Sequence, residues 1–402
     1  MRAGRPEQWI AGTDRACLHR ALSRRGFLRA LAGAGGALSL AAFLPGCRAG
    51  NESAAVPGTS PEATSPTPAA VLSEPAPSRP SSPTPAPRTT PATQEQPVFP
   101  LVIRHKFGTT EIPEQPQRVA TVGFSEQDPV LALGVKPIAV REWFGDQPYA
   151  VWPWAQDELG DAMPTVLRMP FGELDFEAIA ALRPDLLVAT HSGITADEYE
   201  ALSRIAPTVA QPGEYPDFGV PWQEQTRIIG QALGRAERAE VLIAEVEAQI
   251  AAARAAHPQF EGATIAWASP SGDGQYWAVG PNTPPMRFLS ALGFRMPDAL
   301  AAVVGELDSA QISGEQLGLL DTDALILQVN TPEERAAIEA NPLYQQLRAA
   351  REGRALFFVG LDDPLYGALS FSTVLSLPYA LEHLLPLLAA ALDGDPSTGA
   401  TP

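Results

Sequence analysis

Cysteine is nearly absent from this sequence: Cys17 and Cys47 are the only two in 402 residues. Two cysteines can form at most one disulfide, so the folded part of the chain must be stabilised by a hydrophobic core. From about residue 99 to residue 392 the sequence is long enough for one large core or two cores of ordinary size.

The sequence also lacks the motifs of common catalytic sites. It contains no Gly-x-Ser-x-Gly, no His-Glu-x-x-His and no phosphate-binding loop. A metal site needs three or four ligands that converge on the ion, whereas the histidines beyond residue 46 are dispersed along the chain, at His105, His191, His257 and His383. We therefore predict a protein that is not an enzyme, uses no cofactor and ligates no metal ion directly.

Basic residues are scarce outside the N-terminal segment. The first 46 residues contain seven of the 28 basic residues and two of the 46 acidic ones, which leaves 21 basic and 44 acidic residues in the remainder. Such an acidic chain disfavours nucleic acids and anionic lipid surfaces as partners. It also favours a neutral or weakly charged ligand over a highly anionic one.

The first 46 residues have the features of an export signal. Residues 23–29 (SRRGFLR) contain a twin-arginine motif, and the apolar stretch 30–44 is shorter than the roughly 20 residues that span a membrane. The run Leu44-Pro45-Gly46-Cys47 resembles a lipobox, in which Cys47 is lipidated and becomes the mature N-terminus, leaving no second cysteine for a disulfide. We predict a twin-arginine lipoprotein signal peptide over 1–46, with an uncleaved membrane anchor as the alternative. Either route places the folded part outside the cytoplasm.

The composition changes sharply after the signal peptide. Residues 47–98 are rich in Pro, Ser, Thr and Ala and have almost no large apolar side chains. Such a segment cannot offset the entropy of ordering, so we predict a disordered, extended tether. A short disordered tail is expected over 393–402.

Twelve residues of the chain are repeated in degenerate form. Residues 177–188 (EAIAALRPDLLV) and 315–326 (EQLGLLDTDALI) share Glu, apolar, Leu, Asp and Leu residues at the same positions. Each copy predicts a short amphipathic helix, an Asp-containing turn and a buried strand. A Leu-Gly pair precedes each copy, at residues 133–134 and 292–293. The shared order predicts two lobes of related design with a cleft between them.

Short apolar strands alternate with helical segments along the body of the chain. This alternation is typical of parallel α/β organisation. The segment 222–257 is helix-forming and contains no Pro, and its length and its place between the two copies predict a connecting helix. We expect an N-terminal α/β lobe over 99–221, a single long α-helix over 222–257 and a C-terminal α/β lobe over 258–392.

These features resemble a known family, the iron-siderophore substrate-binding proteins of ABC importers. The resemblance rests on the lipobox-like leader, LGVKP at 133–137, the E-x-I-x-x-L-x-P-D pattern at 177–185 and Asn341-Pro342-Leu343. Gly280-Pro281-Asn282 and YGALS at 366–370 are similar to the ferric-hydroxamate (ferrichrome) binding branch. The resemblance covers essentially the whole predicted body. It implies two Rossmann-like α/β lobes joined by a single long α-helix, the class III periplasmic-binding-protein fold, with little hinge motion on ligand binding.

A ferric siderophore is bulky and partly apolar, with oxygen atoms around the iron, so its site needs aromatic walls and a few hydrogen-bond donors. The resemblance implies that Trp152 or Trp154 packs against the siderophore and that Arg168 donates to the iron-ligating oxygens. The full set of expected ligand-binding residues is Trp143, Trp152, Trp154, Arg168, His191, Tyr276, Trp277 and Tyr366. A tryptophan that the family carries in its C-terminal lobe has no counterpart between residues 303 and 313, so the contacts of that lobe must differ.

The first residue of each repeat has a separate expected role. In this family a glutamate on the exposed top of each lobe pairs with arginines of the permease, and Glu177 and Glu315 match that position. A pseudo-symmetric pair of carboxylates suits docking on a two-fold transporter. The alternative is that each is an ordinary first-turn glutamate, which the helix macrodipole stabilises.

The sequence thus predicts a monomeric, lipid-anchored receptor that captures a ferric siderophore, with a hydroxamate favoured, and delivers it to the permease dimer of an ABC importer. Haem or cobalamin is the alternative ligand within the same importer class. A lipid-tethered sensor or scaffold without a transport role is the alternative from another class.

Overall fold

The computed structural model describes residues 99–272, 274–395, 397 and 398. The predicted signal peptide, the tether and Cys47 lie outside these residues. Across the described ranges, no helix is both long and apolar enough to cross a membrane.

The described chain begins with a β-hairpin and continues into the N-terminal lobe. The hairpin pairs β1 (Leu101–His105) with β2 (Gly108–Ile112). The strands of the lobe are β3 (Val119–Thr121), β4 (Ala139–Arg141), β5 (Thr165–Leu167), β6 (Leu186–Ala189) and β7 (Thr208–Ala210). They form one parallel sheet in the order β5-β4-β3-β6-β7. Its helices are α1 (Gln127–Ala132), α2 (Gln156–Leu159), α3 (Phe176–Ala181) and α4 (Ala196–Ser203), with 3₁₀ turns at Pro148–Ala150 and Pro153–Ala155.

Two helices, α5 (Trp222–Ala232) and α6 (Ala236–Ala256), follow the first lobe. The prediction of one continuous helix over 222–257 is wrong in this respect, because the chain turns at Gly234, whose φ of +66° lies in the left-handed region. The Arg235 N–H donates to the Gly230 carbonyl at 2.7 Å and closes the end of α5. The connecting helix is therefore α6, whose 21 residues span about 30 Å at 1.5 Å per residue.

The C-terminal lobe has a second five-stranded sheet, in which one strand is reversed. Its strands are β8 (Ile265–Gly272), β9 (Gln275–Val279), β10 (Ser309–Ile312), β11 (Ala324–Val329) and β12 (Ala355–Val359). In the order β10-β9-β8-β11-β12, the strands β8, β11 and β12 are parallel, and β9 is antiparallel to both of its neighbours. The helices are α7 (Pro284–Ala291), α8 (Asp298–Val304), α9 (Pro332–Glu339), α10 (Pro342–Gln346), α11 (Arg348–Arg351), α12 (Pro364–Phe371) and α13 (Ser376–Asp393), with 3₁₀ turns at Pro258–Phe260 and Gly314–Leu320.

Both copies of the sequence repeat form the expected helical turn and buried strand, and β6 and β11 occupy the same fourth position in their sheets. The repeated aspartates make equivalent bonds. Asp185 accepts from the backbone N–H groups of Gln117 and Arg118 at 2.8 Å, and Asp323 accepts from that of Thr264 at 2.9 Å. Each aspartate therefore fixes the chain just before the central strand of its own sheet, β3 or β8. The predicted pair of related α/β lobes is confirmed.

One continuous set of buried apolar side chains extends from one lobe to the other. It includes Val119 and Leu186 of the first sheet, Ile229 of α5, and Ile265 and Leu356 of the second sheet. Separate clusters cover the outer face of each sheet. Because well-packed interiors resist continuous deformation, a shared core favours lobes that are rigid with respect to each other.

Candidate functional site

Aromatic side chains gather where the parallel strands of the N-terminal lobe end. In open α/β sheets, ligands bind at the carboxyl ends of the strands. Five rings follow β3, β4, β5, β6 and β7 in turn: Phe124, Trp143, Phe171, His191 and Phe218. We call this set the aromatic wall. The Phe124 and Phe171 rings stack with centroids 5.5 Å apart and planes 3° apart, and Phe218 lies 5.7 Å from Phe171 and 5.3 Å from His191.

The C-terminal lobe faces this wall through α12. Phe371 lies 5.4 Å from Trp143, and Tyr366 lies 5.4 Å from Phe144. The ring of Trp267 in β8 lies 6.1 Å from that of Tyr366. Trp143, Phe144 and Tyr366 are only partly buried, so they offer ring surface at the junction of the lobes. The structure thus brings together three of the predicted ligand residues, Trp143, His191 and Tyr366.

Trp152 and Trp154 occupy a different position from the one expected. Trp152 is 1% exposed and stacks on Trp154 with centroids 5.1 Å apart and planes 8° apart. A Cβ atom at Gly367 of the other lobe would lie 2.7 Å from the Trp152 ring, so the two lobes pack tightly there. Trp154 donates its indole N–H to the buried carboxylate of Asp128 at 2.8 Å. These two tryptophans therefore lie at the contact between the lobes, Trp152 against Gly367 and Trp154 against Phe371.

Trp154 also borders a groove away from the aromatic wall. This open groove of about 790 Å³ is lined by side chains of α6 and α13, among them Gln249, Tyr379 and Leu385. Trp154 therefore borders this groove and not the aromatic wall, and its contact with the ligand stays a prediction.

Tyr276 and Trp277 lie on opposite faces of β9, because successive side chains of a strand alternate. Tyr276 is 3% exposed and belongs to the apolar cluster on the outer face of the C-terminal sheet, with Leu317 and Leu347. Its expected role as a cleft residue is corrected on this ground. Trp277 is half-buried on the other face, opposite Gln311 of β10, and stays a predicted ligand residue.

Arg168 follows β5 directly and is exposed. Its guanidinium donates to Asp146 at 2.8 Å and lies 3.4 Å from a carboxylate oxygen of Glu142. With these two carboxylates its charge is already compensated, and a ligand would have to replace one of them. Arg168 also borders a surface depression together with Phe176 and Glu177.

The polar groups nearest the aromatic wall include an arginine that sequence reasoning missed. Arg287 on α7 donates through Nη1 to the Gly219 carbonyl at 2.9 Å, so it bridges the two lobes. Its Nη2 is buried and has no hydrogen-bond partner among the described residues. Burial, and next the charge of Arg287, lower the pKa of His191 to about 4, so this imidazole is neutral at neutral pH. One guanidinium donor without a partner among the described residues and one neutral imidazole therefore lie beside the aromatic wall.

Among the described residues, no three His, Cys, Asp or Glu side chains are placed to share a metal ion.

Glu177 and Glu315 are both exposed, in the first turns of α3 and of the 3₁₀ helix before β11. Their equivalent places in the two lobes follow from the repeat.

Two α/β lobes, a helical connection and aromatic side chains at the junction of the lobes are the architecture of class III periplasmic binding proteins. The periplasmic binding protein family matches residues 119–357, and the chain belongs to this family. The family resemblance and the class III fold predicted from the sequence are confirmed.

Three similar proteins illustrate this relationship. The chain is 30% identical over 152 residues to the probable siderophore-binding lipoprotein YfiY of Bacillus subtilis (strain 168), a match that covers 37% of this chain and 43% of that protein. The crystal structure of a periplasmic solute binding protein from Mycobacterium smegmatis str. MC2 155 matches with a TM-score of 0.65 and 39% identity, over 73% of this chain and 98% of that one. PiaA of Streptococcus pneumoniae TIGR4 in complex with ferrichrome matches with a TM-score of 0.62 and 26% identity, over 73% and 99% of the two chains.

Proposed function

We propose that this protein captures a ferric siderophore outside the cytoplasm and delivers it to an ABC importer. The observation that carries the proposal is the aromatic wall at the carboxyl ends of the parallel strands, with Arg287 and the neutral His191 beside it. Rings cover the apolar surface of such a ligand, and a guanidinium suits the oxygen atoms around the iron.

A hydroxamate siderophore is the favoured ligand. PiaA, a relative over most of the folded chain, is described in complex with ferrichrome. The body of the chain is strongly acidic, and the arginines at the cleft are few, so a multiply anionic complex would meet net repulsion. Haem and cobalamin remain the alternative ligands, because an aromatic cleft accepts either.

The proposal includes how the protein is held and where it docks. The twin-arginine signal exports the chain, and Cys47 carries the lipid that anchors it at the membrane surface as a monomer. Glu177 and Glu315 meet basic patches on the two halves of the permease. The exposure of both carboxylates at equivalent places supports this assignment.

Titration of the purified protein followed by tryptophan fluorescence tests the ligand class. The ligands are ferric hydroxamates, ferric catecholates, ferric citrate, haem and cobalamin, with each iron-free siderophore as the matched control. We expect saturable quenching at sub-micromolar concentration by a ferric hydroxamate, because Trp143 lies in the wall. Quenching by haem or cobalamin alone would replace the ligand but keep the transport role. No response to any of them would contradict the proposal and favour a tethered sensor or scaffold.

A further inference from the structure

A buried guanidinium lies directly behind the aromatic wall. Arg141 is the last residue of β4 and is 2% exposed. Its guanidinium carbon lies 4.4 Å from the centroid of the Phe124 ring, in the geometry of a cation–π contact. Its Nε has no hydrogen-bond partner among the described residues.

The same guanidinium holds two further backbone segments. Its Nη1 donates to the Val122 carbonyl at 3.2 Å, two residues before Phe124. Its Nη2 donates to the carbonyls of Pro170 at 2.8 Å and Glu173 at 3.2 Å, on either side of Phe171. One side chain therefore ties together the strand end that carries Phe124 and the loop that carries Phe171.

A buried carboxylate fixes a third part of the wall. Glu126 accepts from the backbone N–H of His191 at 2.7 Å and from that of Ser125 at 3.3 Å. Burial raises the pKa of Glu126 to about 7, and the charge of Arg141 is among the influences that oppose this rise. The carboxylate and the guanidinium thus lie in one polar layer beneath Phe124, Phe171 and His191.

We propose that Arg141 is a positioning residue that sets ligand affinity by holding Phe124 and Phe171 in their stacked arrangement. This inference rests on the proposed capture of a ferric siderophore. Arg141 is covered by Phe124 and so acts through the ring without touching the ligand itself. The three carbonyl bonds and the flat contact with the ring require the planar fork of arginine, which lysine cannot reproduce.

The test compares the affinity of three variants with that of the wild type, for the ferric hydroxamate that the wild type binds best. Arg141→Met keeps an unbranched apolar stem and removes the fork. We expect it to weaken binding about ten-fold or more, with Arg141→Lys recovering less than half of the loss on a logarithmic scale. The matched control is Arg235→Met, since Arg235 donates to the Leu133 carbonyl at 2.6 Å away from the wall. The control is expected to bind within about two-fold of the wild type.

A double-mutant cycle distinguishes positioning from a general structural role. If Arg141 acts through the Phe124 ring, Arg141→Met in a Phe124→Leu background weakens binding by no more than about three-fold. An equal loss in both backgrounds would overturn the inference, as would wild-type affinity in Arg141→Met or full recovery in Arg141→Lys.

Circular dichroism establishes that each variant is folded before it is titrated. If Arg141→Met does not fold, Arg141→Lys and Phe124→Leu carry the test, and wild-type affinity in both would overturn the inference. A wild type that binds no ferric siderophore contradicts the proposed function instead, so the two failures are distinguishable.

Discussion

Asp128 is the centre of a buried polar contact between the lobes, which we call the joint. Its titration should make the free energy of unfolding depend on pH. Its Oδ2 accepts from Trp154 Nε1 at 2.8 Å and from Thr373 Oγ1 at 2.5 Å, and Thr373 lies between α12 and α13 in the other lobe. Its Oδ1 is buried without a hydrogen-bond partner in the described part of the chain. Burial raises the pKa of Asp128 to about 7, although the bonds from Thr373 and Trp154 oppose the rise.

The magnitude follows from the pKa values of the two states. A folded-state pKa of about 7 against an ordinary value of 3.8 corresponds to roughly 4 kcal/mol, at about 1.4 kcal/mol per pH unit. Because the folded-state pKa is the higher one, the folded protein binds the extra proton. The stabilisation is therefore complete below about pH 4 and is lost as the pH rises to about 7.

Asp128→Asn removes this titration. The amide keeps an oxygen for the two donors but places an unpaired N–H₂ group at Oδ1, which costs about 1–3 kcal/mol at every pH. We expect the free energy of unfolding of the wild type, minus that of the variant, to fall by roughly 4 kcal/mol between pH 4 and pH 8. Urea unfolding at intervals of half a pH unit, followed by fluorescence and circular dichroism, measures the difference. Titrations of Glu126 and His191 are common to both proteins and cancel.

The informative quantity is how the difference in unfolding free energy between the wild type and Asp128→Asn changes with pH. A difference that is the same at every pH would say nothing about the titration of Asp128. The control is Asp157→Asn, which removes an exposed carboxylate on the neighbouring helix α2 and is unfolded under the same conditions. Parallel curves for the wild type and Asp128→Asn would refute the reasoning.

Three further predictions concern the joint, the wall and the docking surface. Gly367→Ala, which places a methyl group 2.7 Å from the Trp152 ring, should lower the free energy of unfolding by about 1–3 kcal/mol in urea; an unchanged midpoint would show that the joint is looser than described. Trp143→Leu should weaken ferric-siderophore binding about ten-fold in a fluorescence or calorimetric titration, because a large part of the ring surface of the wall is lost; unchanged affinity would remove Trp143 from the site. Glu177→Arg combined with Glu315→Arg should leave ligand affinity within about two-fold and abolish uptake of iron-55 by cells; loss of binding in solution would contradict a docking role.

The two-lobed fold was predictable because a sequence repeat marks the equivalent helix and strand in each lobe. The repeated helix and strand carry their own periodicity, and the repeated aspartates, Asp185 and Asp323, make local bonds to the start of a neighbouring strand. Such short-range signals survive in a single sequence. The break between α5 and α6 also had a signal in the sequence, because a helix commonly ends at a glycine, here Gly234.

The site was only partly predictable because its residues are brought together by tertiary contacts. A run of aromatics after β4 indicated a cleft, yet Trp152 and Trp154 are directed into the joint by Asp128 and by Gly367, which are distant in sequence. Arg141 carried one signal, a charge at the end of a short buried strand, whereas nothing in the sequence marked Arg287.

The most direct test of the proposed ligand site is the position of the iron in the bound complex. Crystals grown with a ferric hydroxamate and measured on both sides of the iron absorption edge give an anomalous map that locates the metal without assumptions about the ligand. We predict a single strong peak at the junction of the lobes, beside Trp143, Phe218 and Tyr366. A peak in the groove between α6 and α13, or no peak in crystals that contain bound siderophore by spectroscopy, would contradict it.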